Sequence, residues 1–440
     1  RVVLVRHGQS TWNAEGRIQG STDHSVLTEK GKRQAAVTGD LLCGEGFCRL
    51  IHSPLQRASE TASIVWGSRG GTASVYPELR EIDLYSFEGL LKDEGKQKYG
   101  ELWRDWQLEA ANFQIDGRFP VRELWQRGHE AWGKLLLEEE GRNLLVVAHN
   151  AVNQALMCSA LGLPPSYFRR LLQSNGAISI LDMVPAPQGT RVTLDRLNQS
   201  PASPLEHGGG AGRKARGRLV LVRHCETDST EAGVMLGCSD REGVNLRGEE
   251  QMRHLRDAMG ESGANVRRVF CSPALRCKET AKAVSSGLGN GQPLQVVVSE
   301  KLRNLHLSDW EGRTAVEARE LPPPPDAEPL EAFWERMRGV WHAALREAAA
   351  DGGQDVVIVA HGAVISAMVA QALGMGPEAI SAFRFNTGSL SVIDFPDGPM
   401  GGAGVLRCTN YTSHLKTMEA AATISVDDDF ETVCGIDGCF

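Results

Sequence analysis

The chain has 440 residues, of which 41% are apolar and 23% charged, with a formal net charge of −8. That length exceeds what one hydrophobic core usually supports, so two domains of about 200 residues each are expected. No Lys/Arg tract reads as a nucleic-acid arm and no apolar run approaches the ~20 residues of a membrane span, so neither nucleic acid nor membrane is an expected partner.

Residues 2–6, "VVLVR", are a short aliphatic run of the kind that forms a buried strand. Helical spacing follows over 28–42, with Thr28 as its N-cap, and a second short strand is expected at 49–52. Helices are expected over 54–66, 120–140 (stopping near Gly141) and 151–161, with strands at 144–148 and 177–182. Strands alternating with helices predict an α/β fold, a mostly parallel sheet with helices on both faces. The pattern then repeats. "VVLVRH" at 2–7 returns as "LVLVRH" at 219–224, and "LTEKGKRQA" at 27–35 as "LRGEEQM" at 246–252. "SPLQRASETA" at 53–62 returns as "SPALRCKETA" at 272–281, "ELREIDLYSFEG" at 78–89 as "KLRNLHLSDWEG" at 301–312, and "LLVVAHNAV" at 144–152 as "VVIVAHGAV" at 356–364. Blocks recurring in one order mean a duplicated domain. The first copy is placed at 1–197 and the second at 218–416. Between them 198–217, rich in Gly, Pro and Ser, reads as a flexible linker, and 417–440 reads as a weakly ordered acidic tail.

Active sites in such sheets lie beyond the carboxyl ends of strands. His7 and His149 each follow an aliphatic strand, as do His224 and His361 in the second copy. Arg6, Asn13, Arg17, Arg57 and Glu81 fall at strand ends or adjoining loops of the first copy. Converging guanidiniums match the oxygens of a phosphate. A neutral imidazole attacks phosphorus near pH 7, and a carboxylic acid protonates a leaving alkoxide. Cationic side chains can carry the developing charge, so neither metal nor cofactor is required. A lone strand-end histidine is more often structural than catalytic; it is the ordered set that points to phosphoryl chemistry.

"LVRHGQSTWNAEGRIQG", "SPLQRASETA", the Glu81 segment and "VVAHNAV" resemble the histidine phosphatase superfamily, which includes the cofactor-dependent phosphoglycerate mutases. The resemblance is close over 1–196 and looser over 218–410. It implies that His7 is phosphorylated and that Arg6, Arg57 and His149 grip the phosphoryl group. It also implies that Asn13 and Arg17 complete the pocket, that Gln19 and Gly20 line it, and that Glu81 is the general acid. Water then hydrolyses the phosphohistidine. The tandem arrangement is similar to plant chloroplast members acting on a sugar-acid monophosphate that inhibits Rubisco. That likeness implies a small sugar phosphate as substrate, a link to Rubisco through its inhibitor, and the chloroplast stroma, although no targeting segment is read in these residues. The alternatives are a mutase, a broader sugar-phosphate phosphatase, or a non-enzymatic phosphometabolite sensor.

In the second copy Arg223, His224, Arg276 and His361 keep the central positions, whereas Thr230 stands for Asn13, Val234 for Arg17 and Asn304 for Glu81. Cys225 replaces Gly8, which puts a side chain beside the nucleophile. This copy is expected to be catalytically weak or inert. Ten cysteines are too dilute for a disulfide scaffold and none has zinc spacing, so reduced thiols are expected. Cys434 and Cys439, with glycines between them, are a candidate redox pair for a thiol reductant, with Cys225 and the pair Cys43 and Cys48 as rivals.

Overall fold

The computed structural model describes residues 1–138, 143–186, 189–200, 203–205, 215–289, 292–322, 324–350, 353–400 and 404–418. The chain divides into two compact units, one within Arg1–Ser200 and the other in the described residues that follow.

The first unit runs β1 (Val2–Arg6), α1 (Thr11–Glu15), α2 (Glu29–Leu41), β2 (Arg49–His52), α3 (Gln56–Trp66) and β3 (Thr72–Val75). It continues with α4 (Lys92–Tyr99), α5 (Glu101–Leu108), α6 (Pro120–Glu138), β4 (Leu144–Ala148), α7 (Asn150–Ala160), β5 (Ile178–Ala186) and β6 (Gly189–Gln199). Its strands lie in the order β3-β2-β4-β1-β5-β6. The first four are parallel to one another, and β5 and β6 are antiparallel. Val3, Leu4 and Val5 are wholly buried, each worth roughly 1.5–3 kcal/mol. Val3 and Val5 face Ala35, Leu42, Ala62 and Val65 of the α2–α3 layer. Leu4 points the other way, and α7 packs on β1 with α6 against it. Thr28 caps α2 by accepting from the Gly31 N–H at 3.0 Å. Gly141 lies outside the described residues.

The second unit repeats this plan: β7 (Arg218–Arg223), α8 (Asp228–Glu231), α9 (Leu246–Gly260), β8 (Val266–Cys271), α10 (Leu275–Leu288) and β9 (Gln295–Val298). Then come α11 (Ala315–Arg319), α12 (Leu330–Ala349), β10 (Asp355–Ala360), α13 (Gly362–Ala372), β11 (Leu390–Asp394) and β12 (Val405–Tyr411). Its sheet order is β9-β8-β10-β7-β11-β12, again with the last two strands antiparallel. Asn245 caps α9 as Thr28 caps α2, which sets the repeat register in this block. The segment 198–217 is not a linker throughout. Asn198 and Gln199 close β6, and Leu205 is wholly buried in the core of the second unit, its carbonyl accepting from Arg218 Nη1 at 2.9 Å. One apolar residue after Pro204 carries no periodicity that would announce an anchor.

The two units differ most between the Glu81-type loop and the long helix. The first carries α4 and α5, fixed by an aromatic cluster. Phe87 lies 4.6 Å from Tyr99, 5.6 Å from Trp103 and 5.5 Å from Phe113, and Trp106 packs on Phe168 at 5.7 Å. Arg169 stacks over Trp106 at 4.2 Å. Among the described residues of the second unit, α11 is the one α-helix there.

Candidate active site

Register places the site. Arg6 pairs with Ala148 at the carboxyl ends of β1 and β4, so the next residues, His7 and His149, leave the sheet side by side. The His7 N–H donates to the Ala148 carbonyl at 3.0 Å, and the imidazoles meet edge-on with centroids 5.1 Å apart. Both rings are buried. Burial, with Arg6 and Arg57 close by, pushes both imidazoles well below their usual 6.5, so they are neutral at pH 7. His7 Nδ1 lies 2.7 Å from the Gly8 carbonyl, which can only accept; Nδ1 therefore carries the proton and Nε2 keeps the lone pair of a nucleophile. Gly8 is required here because a Cβ would collide with the Gly31 backbone of α2.

His149 Nε2 lies 2.7 Å from Ser53 Oγ. Ser53 Oγ already accepts from the Leu55 N–H, which suits it to donate to Nε2 and leaves the His149 proton on Nδ1. Ser53 arrives because its N–H extends the β2–β4 ladder to the Val147 carbonyl at 3.0 Å. Arg6 donates to the Gln173 carbonyl at 2.6 Å, and burial lowers it to about 10, still a cation at neutral pH. Arg57 donates to the Thr22 and Gly20 carbonyls at 2.8 and 2.9 Å. Arg6 Nε, Arg57 Nε and His149 Nδ1 are buried with no hydrogen-bond partner among the described residues. Buried donors of this kind call for an explanation, and a phosphoryl group offers the acceptors.

Glu81, 9% exposed, is seated on the N-terminus of α7. Its Oε1 accepts from the N–H groups of Ile82, Ala151 and Val152, and its Oε2 from that of Ala151, all at 3.0–3.2 Å. Arg127 holds the same loop by donating to the Arg80 and Glu81 carbonyls. Asn13 is the third residue of the short α1. Its Oδ1 accepts from the Ser10 N–H and from Asn175 Nδ2, which also donates to the His7 carbonyl. Arg17 stays part-exposed, bound to Glu15 at 2.6 Å and to the Gly89 carbonyl at 2.9 Å. Gln19 Oε1 accepts from Ser10 Oγ at 3.0 Å. Gly20 adopts φ +55°, and a Cβ there would strike the Glu88 carboxylate. Ser53, Asn175 and Arg127 were not anticipated from the sequence. Only Ser53 leaves a trace there, as the first residue of the repeated "SP" block.

In the second unit His224 and His361 meet in the same way, with centroids 5.4 Å apart, and His361 Nε2 lies 2.8 Å from Ser272 Oγ. Arg223 donates to the Phe385 carbonyl and Arg276 to that of Ser239. One expectation is corrected. Cys225 does not stand over the nucleophile; it is wholly buried in the hydrophobic core beside Val220 and Val222. Burial pushes its thiol up to about 12, which does not suit a redox site. Cys43 and Cys48 are exposed, while Cys434 and Cys439 lie outside the described residues. The second unit also brings Cys238, His306 and Glu311 close enough to share an ion. The Cys238 thiol is pushed up to about 11 by burial, and Glu311 Oε1 already accepts from the N–H groups of Cys238 and Leu307, so this set is a poor metal site.

The buried imidazoles make stability depend on pH. His7, His149, His224 and His361 stay neutral in the fold well below 6.5, and His414 is pushed down to about 4. In the unfolded chain they take protons near 6.5, so below that pH the unfolded state binds more protons. Stability should be level above pH 6.5 and fall below it, by up to about 1.4 kcal/mol per pH unit for each histidine, until the folded values are passed. Chemical denaturation at pH 7.5 and 5.5 measures this, and equal stability at the two would mean that the imidazoles are charged in the fold.

The model of the histidine phosphatase superfamily (branch 1) matches residues 2–199 and again 219–401. The chain belongs to that superfamily, with two tandem domains. It is 41% identical over 427 residues to a probable 2-carboxy-D-arabinitol-1-phosphatase of Arabidopsis thaliana, spanning 94% of this chain and 88% of that protein. It is 40% identical to the 2-carboxy-D-arabinitol-1-phosphatase of Triticum aestivum, spanning 98% of this chain and 90% of that one. A probable phosphoglycerate mutase of Cronobacter sakazakii is 36% identical over 42% of this chain and 86% of its own length.

Proposed function

We propose that the first unit hydrolyses a sugar-acid phosphomonoester, 2-carboxy-D-arabinitol 1-phosphate, through a phosphohistidine on His7. The observation that carries the chemistry is the set of Arg6, Arg57, His149 and Glu81 around the His7 imidazole, with its Nδ1 proton tied to a carbonyl. His7 Nε2 attacks phosphorus. Arg6, Arg57 and the His149 Nδ1–H take the charge on the phosphoryl oxygens. Glu81 Oε2, which accepts only one N–H, delivers a proton to the leaving sugar oxygen. Water then cleaves the phosphorus–nitrogen bond, with Glu81 accepting its proton. The substrate rests on the two relatives of that name, which match nearly the whole chain. We assign the carboxylate to Arg17, an assignment supported by its part-exposed position beside the start of α4. On this reading the protein works beside Rubisco, in the chloroplast stroma. A full-length fluorescent fusion that stayed outside the plastid would remove that last part.

The test is phosphate release from 2-carboxy-D-arabinitol 1-phosphate, 3-phosphoglycerate and common sugar phosphates. The carboxylated pentitol ester should be turned over with the highest kcat/KM. Conversion of 3-phosphoglycerate to its 2-isomer without phosphate release would make the protein a mutase instead. The two units should also be unequal: His224→Ala should leave kcat unchanged, since Asn304 cannot serve as the acid. Halving by this substitution, matched by equal labelling of both histidines, would mean two working sites.

A further inference from the structure

The second unit keeps a pocket at the ends of β7 and β10, and its lining is chemically one-sided. Arg223, Arg276 and Arg384 line it together with His224 and His361, and among its described lining residues there is no Asp or Glu. In the first unit the Glu81 carboxylate is seated on the first N–H groups of α7, whereas Asn304 holds the equivalent place here. Gly362 and Ala363, which open α13, line the pocket as well. Arg276 Nε is buried and has no hydrogen-bond partner among the described residues. Three guanidiniums lining one pocket beside a helix N-terminus, where Asn304 replaces the carboxylate of the first unit, make a site for a dianion.

The rest of the wall has changed character. Where the first unit has Arg17 and Gln19, this pocket has Val234 and Leu236, with Met235, Leu307 and Phe383 beside them. Arg384 stands where the first unit has Leu172, one residue before the carbonyl that holds the strand-end arginine in each unit. Thr230, Asn304, Ser366 and Ser381 also line the pocket, but the side formed by Val234, Leu236 and Phe383 does not satisfy a polyol, whose hydroxyls there would lose water without gaining partners. It does accept a hydrocarbon or aromatic group.

We propose that the second unit binds a phosphomonoester carrying an apolar substituent in the pocket around Arg223, Arg276 and Arg384, and holds it without hydrolysing it. The phosphoryl group sits among the guanidiniums, and the substituent lies against Val234, Leu236 and Phe383. With no carboxylic acid in the lining, an unactivated leaving group receives no proton, so the complex persists. This site is independent of the substrate assigned to the first unit.

Calorimetric titration of the full chain with phenylphosphonate, a phosphate mimic that cannot be hydrolysed, tests the proposal, with 2-hydroxyethylphosphonate as the polar counterpart. Arg384→Leu restores the first unit's residue, and its retained phosphatase activity and melting temperature report that the chain is folded. It should weaken phenylphosphonate binding at least about tenfold. Leu236→Gln, which restores the polar side chain of the first unit, should shift preference toward hydroxyethylphosphonate. Arg57→Lys in the first unit should leave the phenylphosphonate site in place. Absence of saturable binding, loss with Arg57→Lys but not with Arg384→Leu, or equal affinity for the two phosphonates would overturn the proposal. Failure of the first unit to hydrolyse the carboxylated pentitol ester would leave this result untouched.

Discussion

Replacing His7 by alanine should reduce turnover by a factor on the order of 10^5–10^6, the scale on which removal of a covalent nucleophile acts. The arginines and His149 would remain, so substrate should still bind with little change in affinity. The loss belongs to the chemical step because, among the described residues, the His7 ring is tied only to the Gly8 carbonyl, while its N–H on Ala148 and its carbonyl, which accepts from Asn175, are main-chain groups. Alanine keeps both main-chain bonds and the strand register with them, so the fold should persist. Rapid-quench measurement of phosphate release, beside equilibrium binding of the unreacted substrate to the His7→Ala variant, separates the two effects. Residual turnover within a hundredfold of the parent chain would assign attack to another group.

Glu81→Gln should split substrates by leaving group. For a sugar phosphate the alkoxide needs a proton, and kcat should fall about 10²–10⁴-fold. For p-nitrophenyl phosphate the phenolate departs unaided, and the loss should stay below about tenfold. The glutamine is isosteric, and its amide oxygen can keep the N–H groups of Ile82, Ala151 and Val152 that Glu81 Oε1 now accepts, so the loop should stay seated. Equal losses on the two substrates would show that Glu81 positions α7 and carries no proton.

The sheet was legible because its strands are aliphatic runs buried on both faces, and two such runs ending in histidine are enough to bring those histidines together once they pair in parallel. The strand β3, Thr72–Val75, escaped because it is a short, largely exposed edge. The helices α4 and α5 escaped because each has eight residues and α4 is charged along its length, so their place is decided by Phe87 and Phe113 rather than by periodicity. In the site, arginines and histidines could be named from type and order, but Asn175 could not. It lies in a loop, and its bonds to Asn13 and the His7 carbonyl exist only after the chain closes on itself. Cys225 shows the same limit from the other side. A residue beside a histidine in sequence need not share its cavity, and this one faces the core.

The central claim is that one histidine in the chain carries the phosphoryl group. Acid-quenching the enzyme during turnover of a phosphate-labelled substrate, then mapping the acid-labile label by peptide, tests it directly. The account predicts at most one phosphoryl group per chain, on the peptide containing His7. Label on the His224 peptide at comparable occupancy, or turnover without any phosphohistidine, would contradict it.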